Sequence, residues 1–224
     1  MIATTDKTAI RDAATILIIR GTGADARVLM GQRGAKAAFM PEKFVFPGGA
    51  VDAEDAQVPL ARALPETCRA RLAQGYAHPD ALAVAAIREL WEETGLLLGV
   101  SSAWPDAPEP WRGFAAQGLR PDASGLRYIF RAITPPGRPR RFDARFFLAQ
   151  AEMLHGDPDD FSAASDELSH LQWVPLTQAR RLNLPFITEV VLAEAQAHVA
   201  GEDLALSVPF FDNSAEESVF RRIA

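Results

Sequence analysis

Three glutamates, Glu89, Glu92 and Glu93, stand at i, i+3 and i+4 within the run Arg88-Glu89-Leu90-Trp91-Glu92-Glu93-Thr94-Gly95-Leu96. On a helix this spacing puts all three carboxylates on one face. Like charges that close repel, so a helix carrying them gains when a cation sits among them. Carboxylate oxygens are hard ligands and suit Mg²⁺ or Mn²⁺ better than zinc. Upstream, Phe46-Pro47-Gly48-Gly49 forms a turn whose glycines let the backbone come close to a ligand, with no Cβ in the way.

The helix that must carry the acids is well marked. His78-Pro79-Asp80 offers a start with Asp80 as N-cap, and Ala81 to Thr94 contains neither Gly nor Pro. Gly95 follows where a left-handed C-cap residue is expected. At about 100° per residue, Ala83, Val84, Ile87, Leu90, Trp91 and Thr94 gather on one side. The three acids gather opposite, beside Leu82, Ala85 and Ala86. A solvated acidic face would show the same spacing. Arg88, the glycine stop and the Pro-Gly-Gly turn favour a site.

The run resembles the signature of the Nudix hydrolases, G-x(5)-E-x(7)-R-E-U-x-E-E-x-G-U, with U aliphatic. The second half matches at every specified position from Arg88 to Leu96. In the first half, counting from Gly49 places the first acid at Asp55, with Asp in place of Glu. The stretch Ala56 to Ile87 is then much longer than the family's spacing, so the box is split by an insertion of roughly Ala56 to Asp80. The resemblance spans about Ala13 to Leu184. It implies an α/β/α sandwich with a mixed sheet, and a Mg²⁺- or Mn²⁺-dependent enzyme that cleaves the diphosphate of a nucleoside diphosphate derivative. It assigns metal binding to Glu89, Glu92, Glu93 and the Gly49 carbonyl, and gives Arg88 the orienting of Asp55 or Glu92. An acid in the downstream loop Ser165-Asp166-Glu167-Leu168 is expected to bind metal or act as general base. Glu167 is the choice there, Asp166 the alternate, and Glu89 a further candidate for the base.

Two segments, Val28 to Arg33 and Phe44 to Asp52, resemble the coenzyme A and acyl-CoA diphosphatase branch. The split box, Thr134-Pro135-Pro136 and Arg141 to Phe147 resemble its peroxisomal subgroup and bacterial relatives. The implied reaction converts (acyl-)CoA to 3′,5′-ADP and (acyl-)phosphopantetheine. Arg33, Lys43, Arg141 and Arg145 are candidate phosphate contacts. NADH, ADP-ribose or a damaged nucleotide is the alternative substrate class, and a non-catalytic nucleotide sensor the alternative role.

Length and composition agree with one domain over residues 1–224, with a C-terminal helix and tail from about 185, and strands interspersed with helices read as α/β or α+β. The chain has 224 residues and a net charge of −6, which argues against nucleic acid or an anionic membrane as partner. A small nucleotide-type substrate is expected, and a homodimer is allowed. The single cysteine, Cys68, cannot close an internal disulfide and reads as a small apolar filler. Absence of a basic segment leading into a long apolar run points to the cytoplasm. Strands are expected at Ala13–Arg20, Arg27–Arg33, Lys43–Phe46, Leu96–Val100, Leu126–Ile133, Ala144–Gln150 and Leu171–Val174. Helical pieces are expected at Pro59–Gln74, Glu109–Gln117, Thr177–Arg181 and Phe186–Ala200. Val58, Leu60, Leu64 and Leu72 in the insertion are spaced for short amphipathic helices, expected to cap a substrate cleft or line a dimer interface. The tail from Asp203 is expected to pack back on the domain.

Overall fold

The structure, a computed structural model, describes residues 9–35, 37, 40–75, 78–201 and 207–224. The central strand β1 (Ile10–Arg20) is rich in Ile and Ala and is buried on both faces. Ala14, Ile16 and Ile18 point into one apolar cluster, Leu17 and Ile19 into the other. A strand buried on both sides must be covered by two helical layers.

On the first face lie α1 (Glu66–Leu72), α2 (Pro79–Thr94) and α3 (Arg112–Ala116); on the second lies α4 (Phe186–Val199). The remaining strands are β2 (Arg27–Arg33), β3 (Phe44–Val45), β4 (Gly48–Ala50), β5 (Gly99–Ser101), β6 (Leu119–Pro121), β7 (Arg127–Ile133), β8 (Arg141–Gln150), β9 (Leu168–Pro175), β10 (Val208–Asp212) and β11 (Val219–Ile223). The main sheet runs β11-β10-β7-β8-β1-β2-β3, with β4 also on β1 and β9 also on β2. It is mixed: β1 lies parallel to β8 and antiparallel to β2 and β4. This is the expected α/β/α sandwich.

One edge of β1 is shared. Ile19 and Arg20 pair with Val28 and Arg27, whereas Ala13 to Thr15 pair with Ala50 to Gly48. Between these stretches β2 leaves β1 and pairs with β3, while β9 runs along β2 from Arg27 to Arg33. The fork leaves β4, which follows Pro47, to pair with β1 where α2 packs on the sheet.

One expectation needs correction, and two gain detail. Asp80 is not the N-cap of α2; His78 holds that place with Pro79 in the first turn, and Asp80 binds Arg69 at 2.6 Å. The tail does more than lie against the domain. β10 joins the sheet parallel to β7, and β11 closes a hairpin on it. The insertion turns its apolar residues inward, with Leu60 partly buried against the same cluster. Val58, Leu64, Cys68 and Leu72 are buried in the cluster beneath α2. The segment is stitched to the β6 region by Ala61 N–H to Pro121 O at 2.8 Å and Ala123 N–H to Arg62 O at 3.0 Å. Cys68 is the expected filler, its sulfur receiving the Tyr128 N–H at 3.5 Å. Residues 76–77 of the insertion and 202–206 of the tail lie outside the described residues.

Because the insertion belongs to the core, Leu72→Ala is expected to cost about 2–5 kcal/mol, the range for a buried Leu truncation. Chemical denaturation checks this. A change under about 0.5 kcal/mol, typical of surface sites, would show the insertion to be peripheral.

Candidate active site

The C-terminal half of α2 presents the acids, and Gly95 ends the helix at φ 78°, the left-handed conformation expected there. The helix is buried almost all round, so the acids do not lie on an open face. Glu93 is 1% exposed, Glu89 is partly buried and only Glu92 is exposed. The burial follows from the glycine turn. A Cβ on Gly48 would come within 2.7 Å of the Ala14 carbonyl oxygen and Thr15, and one on Gly49 would collide with the Glu89 carboxylate. Gly48 is therefore needed for β4 to pair with β1, and a side chain at Gly49 would displace the Glu89 carboxylate. In that position Gly48 N–H donates to Glu93 Oε2 at 2.8 Å. The other oxygen of Glu93, Oε1, is buried without a hydrogen-bond partner among the described residues.

Arg88 organises the opposite side of the acids. Its Nε and Nη2 hold Asp55 in a two-pronged pair, each at 3.0 Å. Nη1 donates to Glu89 at 2.9 Å and Glu92 at 3.1 Å, and Nη2 also reaches the Ala50 carbonyl at 2.9 Å. All five guanidinium N–H groups thus have acceptors. The choice the sequence left open between Asp55 and Glu92 is answered by both, with the planar fork on Asp55. Asp55 itself is fixed by a capping box at the 3-10 turn Ala53–Gln57, where its Oδ2 accepts the Asp52 N–H at 2.8 Å. Asp52, unnoticed in the sequence, lies 3.7 Å from Arg88. Its signal was the Asp52-x-x-Asp55 spacing of that box.

The downstream loop is tied to the same helix end. Ser165 N–H donates to the Glu92 carbonyl at 3.1 Å, and Ala163 packs against Gly95. This brings Glu167 to the acids, and Arg33 Nη2 holds it at 3.0 Å. Asp166 is exposed. Arg33 Nε is buried with no partner among the described residues. Lys43 pairs with Arg33 through the backbone, but its ammonium is taken by Asn183 Oδ1 at 2.6 Å and the Leu184 carbonyl at 3.2 Å.

Arg141 and Arg145 are not brought to the acids. Arg141 binds the carbonyls of Thr134, Asn213 and Ser214, anchoring the tail. Arg145 is buried between Asp12 and Asp143 in a separate ionic group that includes Arg131. Sequence distinguishes such an arginine from a phosphate contact only when its acidic partners are known.

Charge is unbalanced at the helix end. Glu89, Glu92, Glu93 and Glu167 share Arg33 and an Arg88 already matched by Asp55. Burial pushes the Glu89 carboxyl up to about 7, against the pull of Arg88, and Glu92 and Glu167 add to the rise. Burial likewise holds Glu93 well above the ordinary carboxylate range, the Gly48 N–H offsetting part of it.

A helix bearing clustered carboxylates behind a Gly-Gly turn, set against a mixed sheet between two helical layers, defines a class of fold and site. The NUDIX domain family model matches residues 9–194, and the chain belongs to the Nudix family. It is 30% identical over 176 residues to "Putative nudix hydrolase 7" of Caenorhabditis elegans, covering 73% of this chain and 51% of that protein. It is 26% identical over 230 residues to the acyl-coenzyme A diphosphatase NUDT19 of Gallus gallus, covering 73% of this chain and 60% of that protein. The chain therefore spans between half and two thirds of the length of these relatives. The crystal structure of a NUDIX hydrolase from Alicyclobacillus acidocaldarius superposes with a TM-score of 0.63 at 31% identity, covering 90% of this chain and 97% of that one. No helix among the described residues is long and apolar enough to cross a membrane.

Two outcomes are expected. Asp55→Ala leaves Arg88 buried without its main partner and should cost about 3–5 kcal/mol, read by denaturant titration. The second concerns pH. Glu89 has a raised pKa in the folded state, so its contribution is fully present below about 4.5, the unfolded value, and is lost as pH rises through about 7. In EDTA the melting temperature should fall across that window, and Glu89→Gln should flatten the fall. An unchanged slope in the variant would remove Glu89 as its source.

Proposed function

We propose that this protein is a divalent-cation-dependent hydrolase of the diphosphate in a nucleoside diphosphate derivative. The single observation that carries the reading is the partnerless, buried Glu93 Oε1 within an acidic cluster that its arginines do not neutralise. Glu89, Glu92, Glu93 and the Gly49 carbonyl would hold Mg²⁺ or Mn²⁺, an all-oxygen set matching those hard ions. Among the described residues no three acidic side chains are drawn together tightly enough to enclose an ion by themselves. Arg88 Nη1 stands between Glu89 and Glu92, and Mg²⁺ usually keeps water and substrate oxygens among its ligands. Bound there, such an ion neutralises phosphoryl oxygens and lowers the pKa of water.

The chain's own groups supply the rest. Glu167 sits beside the cluster with an exposed carboxylate, suited to accept the proton of the attacking water. Glu89 is the other candidate for that role. The water oxygen bonds to one phosphorus, the bridging P–O bond breaks, and two phosphate monoesters leave. Arg33 has an unused Nε N–H to offer a phosphate oxygen. Arg141 and Arg145, committed elsewhere, have no part in the proposal.

Coenzyme A or acyl-CoA is the substrate favoured, yielding 3′,5′-ADP and (acyl-)phosphopantetheine. Support comes from the Val28–Arg33 and Phe44–Asp52 segments and from the similarity to the Gallus gallus diphosphatase. Incubation with Mg²⁺ and CoA, acyl-CoA, NADH, ADP-ribose or nucleoside triphosphates, followed by product separation, tests it. Turnover of ADP-ribose with CoA untouched would overturn the substrate; no turnover of any would favour a nucleotide sensor.

Glu93→Gln should abolish most activity while the protein stays folded, because loss of a buried, strained charge does not weaken the core. Near-normal turnover at saturating Mg²⁺ would remove Glu93 from the metal set. Glu167→Gln should lower kcat by roughly 10²–10⁴-fold with little change in KM if the residue is the base. Recovery at high Mg²⁺ would make it a ligand instead, and an unmoved kcat would return the base to Glu89.

A further inference from the structure

We infer, resting on the reading of Glu167 as a working acid of the proposed hydrolase, that His170 is a positioning residue. Its left-handed backbone holds a bulge in β9 that aims Glu167 at the acidic cluster. Among the described residues three besides glycine have positive φ: Met40 at 51°, Glu42 at 59° and His170 at 51°. A left-handed backbone is costly for a residue with a Cβ and persists only where its surroundings impose it. All three flank Arg33, which holds Glu167 at 3.0 Å. Glu42 N–H donates to the Arg33 carbonyl at 3.0 Å. Lys43 links Met40 to the same residue, donating to the Met40 carbonyl at 3.4 Å and accepting the Arg33 N–H at 2.9 Å. His170 stands across the ladder, two residues beyond Leu168, the partner of Arg33.

The register of β9 on β2 shows what the strain achieves. Arg33 pairs with Leu168 and Gln32 with Ser169, but Met30 pairs with Gln172. Gly31 therefore faces both His170 and Leu171. A bulge of this kind bends its strand and re-aims the side chains beside it. The approach is close, since a Cβ on Gly31 would come within 2.9 Å of both Leu168 Cβ and Leu171 Cδ2. Leu168 thus shares the face of Gly31 and Arg33, and it is buried there. Were the ladder continued from Met30 without the bulge, Gln32 would face His170 and Arg33 would face Ser169. Leu168 would then turn to the other face, because a slip of one residue reverses every side chain. Glu167, one residue before Leu168, would move past Arg33 and lose its place at the acids. The His170 ring is exposed and lies 3.1 Å from Ser169 Oγ, which donates to the Gln32 carbonyl at 3.1 Å. What His170 supplies is its backbone conformation rather than its imidazole.

Backbone and side-chain roles separate by substitution. His170→Gly and His170→Asn accept a left-handed backbone and should keep kcat and KM near wild type. Valine is β-branched and does not accept it, so His170→Val should lower kcat by about tenfold to a hundredfold with KM little changed. Gly31→Ala, which presses on the bulge from β2, should act in the same direction. In a Glu167→Gln background His170→Val should add little, since both changes act through one carboxylate. Melting temperatures show which variants remain folded. A second readout needs no activity. The buried Arg33 Nε–H gives a side-chain resonance in ¹⁵N-labelled protein, assigned by its loss in Arg33→Lys. His170→Val should shift that resonance and His170→Gly should not. An unmoved resonance in His170→Val would overturn the proposal whatever the activity. So would equal losses of kcat in the Gly, Asn and Val variants, which would assign the role to the ring. A shifted resonance with kcat unmoved in both His170→Val and Glu167→Gln would uphold the positioning by His170 and overturn the catalytic reading of Glu167.

Discussion

Arg88 is a charged group with almost no exposure, in a domain that must also bury parts of three glutamates. A lone guanidinium so placed would cost several kcal/mol in lost hydration. Here its five N–H groups are all taken, two by the fork on Asp55 and the rest by Glu89, Glu92 and the Ala50 carbonyl. The arrangement links three elements in one contact: the 3-10 turn that carries Asp55, strand β4 and helix α2. It also fixes the rotamers of two of the acids, so a ligand does not have to order them on arrival. Pairing Arg88 so fully with Asp55 leaves the glutamates in charge excess, and that excess gives a divalent cation its driving force.

The glycines are the second constraint. Without side chains at 48 and 49, β4 lies against β1 on one side and the Glu89 and Glu93 carboxylates on the other. Glu93 is consequently buried with one oxygen bonded to backbone and the other open. The stability lost by burying a carboxylate this way is the kind of local strain that active sites carry. The fork in the sheet, where β2 departs from β1, makes room for this turn and directs Arg33 toward Glu167.

The insertion and the tail show how the fold absorbs material that the family signature does not foresee. The split box leaves Asp55 and Arg88 far apart in sequence yet bonded. This is possible because Val58, Leu64, Cys68 and Leu72 anchor the intervening chain in the core beneath α2. A long loop between two partners carries only a modest entropic cost once its ends are held. The tail adds two strands beside β7, and Arg141 secures the turn between them through backbone carbonyls.

Sequence alone determined the elements whose signals are local. The Gly95 stop, the i, i+3, i+4 acids and the Ile-rich β1 each follow from a few adjacent residues, and a mixed class, α/β or α+β, followed from their order. The family resemblance supplied the sandwich and the roles of Arg88 and the acids. Tertiary structure decided what depends on distant partners. Whether Arg145 faces a phosphate or Asp12 and Asp143 turns on which strand lies next to β8, and the parallel pairing with β1 settles it. Lys43 reads as a candidate phosphate contact until Asn183 and the Leu184 carbonyl take its ammonium. The burial of Glu93 was likewise illegible. Helical periodicity assigns a face, but whether that face meets solvent or a glycine turn depends on the packing of β4 against α2. The β10–β11 hairpin was missed for the same reason, because a short strand is specified by the neighbour that completes its hydrogen bonds, and β7 is far away in the chain.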